Sequence, residues 1–358
     1  MKIKTIFNTC FFVLIATSFS VNHDSGKWQV LQTKNKATER SECGMAACNG
    51  KLYLVGGEGS SSVEALDLST LTWSKKASAP VVMHHFQAVS YQNKIYVPEA
   101  FSIGGFPDQI PMSNIYIYDT EKDQWEKGAE LVLERRRGGA GAAAYHGKIY
   151  LVAGIQHGHS SGTTNMFDVY DPKTNQWEKL PDAPHIRDHC SAAVINDKLY
   201  VAGGRNTSYH EPDNFMAFFS KTVLDVDCYD FKSGQWTSLS ARLPLGSGGG
   251  ALVNLNGILY YMGGERATKA ESNAPRKNTY FLDPSTANNW AETESLEYAR
   301  NGMAAAVLNN KIYVFGGAGG GPRGPRPGSS PNDTLHRPPP GLANAGSGQA
   351  TVELFSIN

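Results

Sequence analysis

Six times along the chain a polar turn gives way to alternating aliphatic and aromatic residues: NGKLYLVGG, QNKIYVPEA, HGKIYLVAG, NDKLYVAGG, NGILYYMGG and NNKIYVFGG. Alternation of this period predicts a strand, and the Gly pair that ends four of the six predicts a backbone turn or a close approach. Ahead of the stretch lies a run of small residues, such as GMAAC, GAGAAA, CSAAV or GMAAAV, which predicts a second strand in a crowded place. Behind five of the six come LDLSTLTW, YDTEKDQW, YDPKTNQW, YDFKSGQW and LDPSTANNW. Their Asp, Pro, Asn and Gly predict a hairpin turn between a strand ending in Tyr-Asp or Leu-Asp and one beginning at Trp. The Trp residues stand at 28, 73, 125, 177, 236 and 290, spaced by 45, 52, 52, 59 and 54, which marks a repeat.

Each unit therefore has four strands: a small inner a, an aliphatic b, then c, then d beginning at Trp. Four-stranded units in a closed array predict an all-β, six-bladed β-propeller. The pattern resembles the kelch repeat over essentially all of residues 28–358, and the resemblance implies blades set radially about a central channel. The last unit ends at VELFSIN without a Trp strand, while KWQVLQTK stands alone before the first a strand. Trp28 is thus expected to begin strand d of blade 6, which closes the ring and leaves no open sheet edge. The Gly- and Pro-rich segment 317–350 reads as a long b–c loop of that blade.

With 33 basic and 33 acidic side chains the formal net charge is zero, so nothing supports binding to nucleic acid or an anionic membrane. The start, MKIKTIFNTCFFVLIATSFSVN, has two Lys, an apolar stretch and small residues, which predicts a leader over 1–20 and a short linker over 21–27. A secreted or periplasmic protein follows, and no other apolar run approaches membrane length. Cys43, Cys48, Cys190 and Cys228 form an even set that permits two disulfides, but without CxxC spacing they read better as buried small hydrophobes. No GxSxG, P-loop, HExxH or Rossmann fingerprint appears, so no cofactor is named.

Antiparallel strands put the d–a and b–c loops of every blade on one rim. Eleven residues before the b-strand Lys (Ile258 in unit 5) stand Arg40, Met83, Arg137, Arg187, Ser247 and Arg300; two further on stand Glu42, His85, Gly139, His189, Gly249 and Gly302. Blades 2 to 4 carry MHHFQ, ERRRGG and IRDHC where blade 5 carries LGSGGG, so the rim is asymmetric. His85 and His189 are the candidate acid/base groups. Arg137, Arg187, His84, Arg136, Arg205, Glu99 and Glu265 are candidate binding residues, the Arg suiting a carboxylate through bidentate hydrogen bonds. His157 and His159, in GIQHGHSSG, are candidate metal ligands. Strand alternation places Asp188 on the face opposite Arg187 and His189.

An exported propeller that binds, and in a lyase or mutarotase version processes, an acidic carbohydrate fits this rim. Kelch-type propellers that isomerise sialic acid lend analogy to the latter. A non-catalytic module for a protein or glycan partner, or a metal-dependent enzyme at the His cluster, fits the same residues.

Overall fold

The computed structural model describes residues 26–268, 273–319 and 350–357. Six antiparallel sheets follow one another, five of four strands and that of blade 5 with Ala274–Pro275 as an added fifth; blade 4 is typical: Asp188–Ile195, Lys198–Arg205, Asp227–Asp230 and Gln235–Ser238. The strands form where the repeat predicts them, and the side chains show why. Strand b is apolar on both faces because each sheet is covered by a neighbour on either side. Tyr53, Val55 and Ala65 of blade 1 pack with Ile95, Val97 and Tyr118 of blade 2, while Leu52, Leu54 and Trp73 of blade 1 pack with Phe315 of blade 6. Strand a is small because blades converge there: Ala46, Ala142, Ala192 and Ala304 are all buried.

The repeated Asp and Trp each tie a connection. Asp119, Asp171 and Asp230 accept hydrogen bonds from backbone N–H groups two or three residues on, fixing the c–d turn. Three of the six Trp indoles reach backwards to the previous blade: Trp125 donates to the Ala77 carbonyl at 3.0 Å, Trp236 to Pro181 at 2.8 Å and Trp290 to Ala241 at 3.2 Å.

Blade 6 is completed by the N-terminal strand. Lys27–Leu31 pairs antiparallel with Val352–Ser356, with Lys27 opposite Ser356 and Leu31 opposite Val352. Trp28 packs on Phe355 with ring centroids 5.2 Å apart. Strand b of this blade runs Lys311–Gly319, so residues 317–319 belong to a strand and not to the expected loop. The expected leader, and residues 320–349 of the Gly- and Pro-rich segment, lie outside the described residues. Cys43, Cys48, Cys190 and Cys228 are free and buried. Among the described residues no helix is long and apolar enough to cross a membrane.

Candidate functional site at one mouth of the channel

The repeated Arg side chains turn inward to their own blades. Arg187 is fully buried; it donates to the Gly203 and Asp225 carbonyls at 3.1 and 2.9 Å and pairs with Asp227 at 2.8 Å. Arg137, also fully buried, bonds the Ala153 and Arg135 carbonyls, both at 2.6 Å, and pairs with Asp168 at 2.8 Å. Arg40 and Arg300 do the same with Glu64 and Glu353. Neither Arg137 nor Arg187 presents a guanidinium to the channel, so the structure does not bring them to the place where a carboxylate ligand needs them. A signal for this stood in the sequence. The acid is always on strand c, and the two units without Arg, carrying Met83 and Ser247, have Tyr116 and Tyr280 in its place. Ser247 substitutes by donating to the Gly263 carbonyl at 2.9 Å, the register that Arg187 uses with Gly203.

Two residues beyond the Arg, all six units enter the left-handed region: Glu42, His85, Gly139, His189, Gly249 and Gly302 have φ of 55°, 58°, 65°, 51°, 67° and 61°. The amide of Glu42 donates to Gly302 O, that of His85 to Glu42 O and that of Gly139 to His85 O, at 2.7 to 2.9 Å. Glycine takes this conformation freely, and other residues pay roughly 1–2 kcal/mol for it. Three blades thus carry a strained side chain aimed at the channel, and three carry none. At His189 the positive φ also breaks strand alternation. Asp188 is therefore not on the opposite face as expected: its Oδ1 lies 2.6 Å from His189 Nδ1. A Cβ on Gly139 would come within 3.3 Å of the same Nδ1, so the glycine of blade 3 makes room for the imidazole of blade 4.

His159 fills the space that blade 3 leaves. It sits on the hairpin between the long strands Lys148–His157 and Ser161–Asp171, and its ring centroid lies 5.2 Å from that of His85 and 4.9 Å from that of His189. Its Nδ1 is 3.1 Å from Gln109 Oε1. His84 stands beside the group, with its Nδ1 2.6 Å from that of His85. Burial pushes all four imidazoles below their usual range, His84 to about 4, so each is neutral near pH 7. Glu42 Oε2 lies 3.7 Å from His85 Nε2, and burial, with Glu265 and Glu58 adding, raises this carboxyl to about 8. Below them Gln87 crosses from blade 2, taking hydrogen bonds from the amides of Ala142 and Ala192 and donating to Ala192 O, and narrows the channel. A cavity of about 60 Å³ remains.

The other candidates fall around this centre. Arg205 is buried, held by Glu265 at 2.8 Å and Thr207 at 3.0 Å, with Phe218 and Phe219 against its guanidinium. Glu99 is buried, and burial raises its carboxyl well above the carboxylate range. Arg136 is half-buried outside the channel and pairs with Glu130. His157, two residues from His159, is exposed at the hairpin end and does not join the cluster.

The b–c loops of blades 2, 3 and 4 interlock over this side. His159 N donates to Pro107 O at 2.6 Å, His210 Nε2 meets Ser160 O at 2.7 Å, and Phe106 packs edge-on against Phe215. A family model described as the KLHDC2/KLHL20/DRC7 Kelch-repeats domain matches residues 13–204, and a Kelch motif matches 186–241. The chain belongs to the kelch-repeat family. This kelch propeller is similar to the Kelch-like protein terF of Aspergillus terreus, 25% identical over 82% of the chain and 64% of that protein. It is similar to Beta-scruin of Limulus polyphemus, 30% identical over 67% of the chain. The chain spans under two thirds of terF and about a quarter of Beta-scruin, at 64% and 26%. Among solved structures, "Structure of YjhT" superposes with a TM-score of 0.68 at 15% identity, covering 81% of this chain and 93% of that one. The shared fold is a propeller.

Proposed function

We propose that this kelch propeller is an exported interaction module that receives an apolar segment of a partner protein on the rim formed by its d–a and b–c loops. One observation carries the reading. The large exposed apolar side chains of the described residues are Ile103, Phe106, Ile110, Val132, Leu133, Ile186, Phe215 and Tyr298. All eight lie on d–a or b–c loops, seven of them on the side of blades 2 to 4, and none on the opposite rim of polar a–b and c–d turns. A one-sided apolar set of this kind marks an interaction surface. The acidic-sugar reading needs free guanidiniums at the mouth, and with Arg137 and Arg187 paired inside their blades it loses its motive.

Panning a phage-displayed random peptide library on the protein tests this. Enriched peptides should carry apolar anchors, and Leu133→Glu or Ile110→Glu should weaken them about tenfold or more each, with the melting temperature unchanged. Absence of enrichment, binding indifferent to both substitutions, or retention of an acidic oligosaccharide instead of a peptide would overturn the proposal.

A further inference from the structure

The same mouth holds a group of side chains that a peptide on the rim does not use. His85, His159 and His189 are all buried, and each offers a ring nitrogen within 4.8 Å of the other two. Their outer contacts decide which nitrogen that is. Asp188 and the Gln109 carbonyl oxygen can only accept, so His189 and His159 donate through Nδ1 and keep a lone pair on Nε2. His85 sets its Nδ1 against that of His84, and it keeps the lone pair on Nε2 in the tautomer in which His85 donates to His84. His189 Nε2 is buried with no hydrogen-bond partner among the described residues. An unpaired buried acceptor costs roughly 1–3 kcal/mol, and here it sits on a residue already strained in φ. Orienting an imidazole by a carboxylate on its far nitrogen is how metal-ligating histidines are held.

We propose that His85, His159 and His189 bind a divalent transition-metal ion of the zinc type, with the fourth coordination position open to the channel beside Glu42. Metal–nitrogen distances of about 2.0–2.1 Å place the donors of a tetrahedral site ~3.4 Å apart. Nitrogens within 4.8 Å of one another have to close by at most ~1.4 Å to reach that spacing. The surrounding charge suits a cation: Glu265 pairs with Arg205, which leaves the buried Asp188 carboxylate beside His189 as the uncompensated charge. Three imidazoles with an open position make a site of the kind that polarises a bound water or ligand, whereas closed structural sites fill all four positions.

Calorimetric titration of the chelator-treated protein with Zn²⁺ tests the site. One ion per chain should bind, and His159→Gln, a change on a hairpin, should lower affinity by about 100-fold or more while His157→Ala changes nothing. Gln109→Ala, which touches no metal, should lower it about 10-fold or more, the size expected when an outer-shell partner is lost. Loading with Co²⁺ should give the ligand-field bands of a four-coordinate ion, lost in His159→Gln. Failure of Zn²⁺ to saturate at one per chain, or equal affinity in the His159→Gln and His157→Ala proteins, would overturn it.

Discussion

Replacing Arg187 by Leu separates a structural from a ligand-binding arginine. The side chain is fully buried, makes two hydrogen bonds to carbonyls and pairs with Asp227 at 2.8 Å. Its loss leaves the buried Asp227 with His185 at 2.8 Å and Ser238 at 2.9 Å as partners. Breaking one side of a buried pair costs about 3–5 kcal/mol. At about 2–4 °C per kcal/mol for a domain of this size class, the melting temperature should fall by roughly 6–20 °C. The double substitution Arg187→Leu with Asp227→Leu should recover much of that, since an apolar pair of similar volume often replaces a buried ion pair at little net cost. Blades 2 and 5 already manage without the pair, holding Met83 with Tyr116 and Ser247 with Tyr280. Differential scanning calorimetry of the parent and the two variants decides it. A single variant melting within 1 °C of the parent, or a double variant no more stable than Arg187→Leu alone, would refute the reasoning.

Other consequences are as direct. Burial lowers the folded-state pKa of His84, His85, His159 and His189, so the metal-free protein holds them neutral and the unfolded chain takes up their protons first. Relative to His84→Gln, the parent's urea midpoint should hold level above about pH 6.5 and fall progressively from there toward pH 4, while the raised carboxyls of Glu42 and Glu99 add a fall with rising pH that both proteins share. Glu42→Gly relieves a left-handed φ of 55° and should raise stability by up to about 1 kcal/mol in urea unfolding. Gly302→Ala, whose Cβ would fall 2.1 Å from Glu42 Oε1, should lower it. Trp28→Ala removes the anchor of the closing strand and should cost about 3–5 kcal/mol, read in the same assay.

The propeller was legible because its signals are local. Alternation in KLYLV or KIYVF, small residues in GMAAC and an Asp six residues before Trp each need only a short window, and counting units was enough to hand Trp28 to blade 6. The site was legible by half. Aligning units put His85 and His189 at equivalent places, and the hairpin GIQHGHSSG drew notice for its histidines. Choosing His159 over His157 required the bend of that hairpin, which no spacing encodes. Asp188 was misplaced because alternation assumes extended backbone, and His189 at φ 51° is not extended. The arginines misled for another reason. Whether a guanidinium faces a ligand or its own sheet depends on a partner 24 to 53 residues away, and only a comparison of the strand c acids with the Arg positions across all six units exposes it. Gln87, which narrows the channel, carried no signal beyond its place in MHHFQ.

The seam in blade 6 sets how the ring responds to force. Lys27 lies opposite Ser356, so both ends of the chain leave from the same end of one antiparallel ladder. Tension applied between them loads the ladder across its rungs, and the pairs open in succession beginning at Lys27–Ser356, instead of shearing all five together. A propeller tethered by its two ends should therefore yield first at the closing strand, at low force, with the other five blades still formed. Held by the faces of its blades, the same ring has no such weak point.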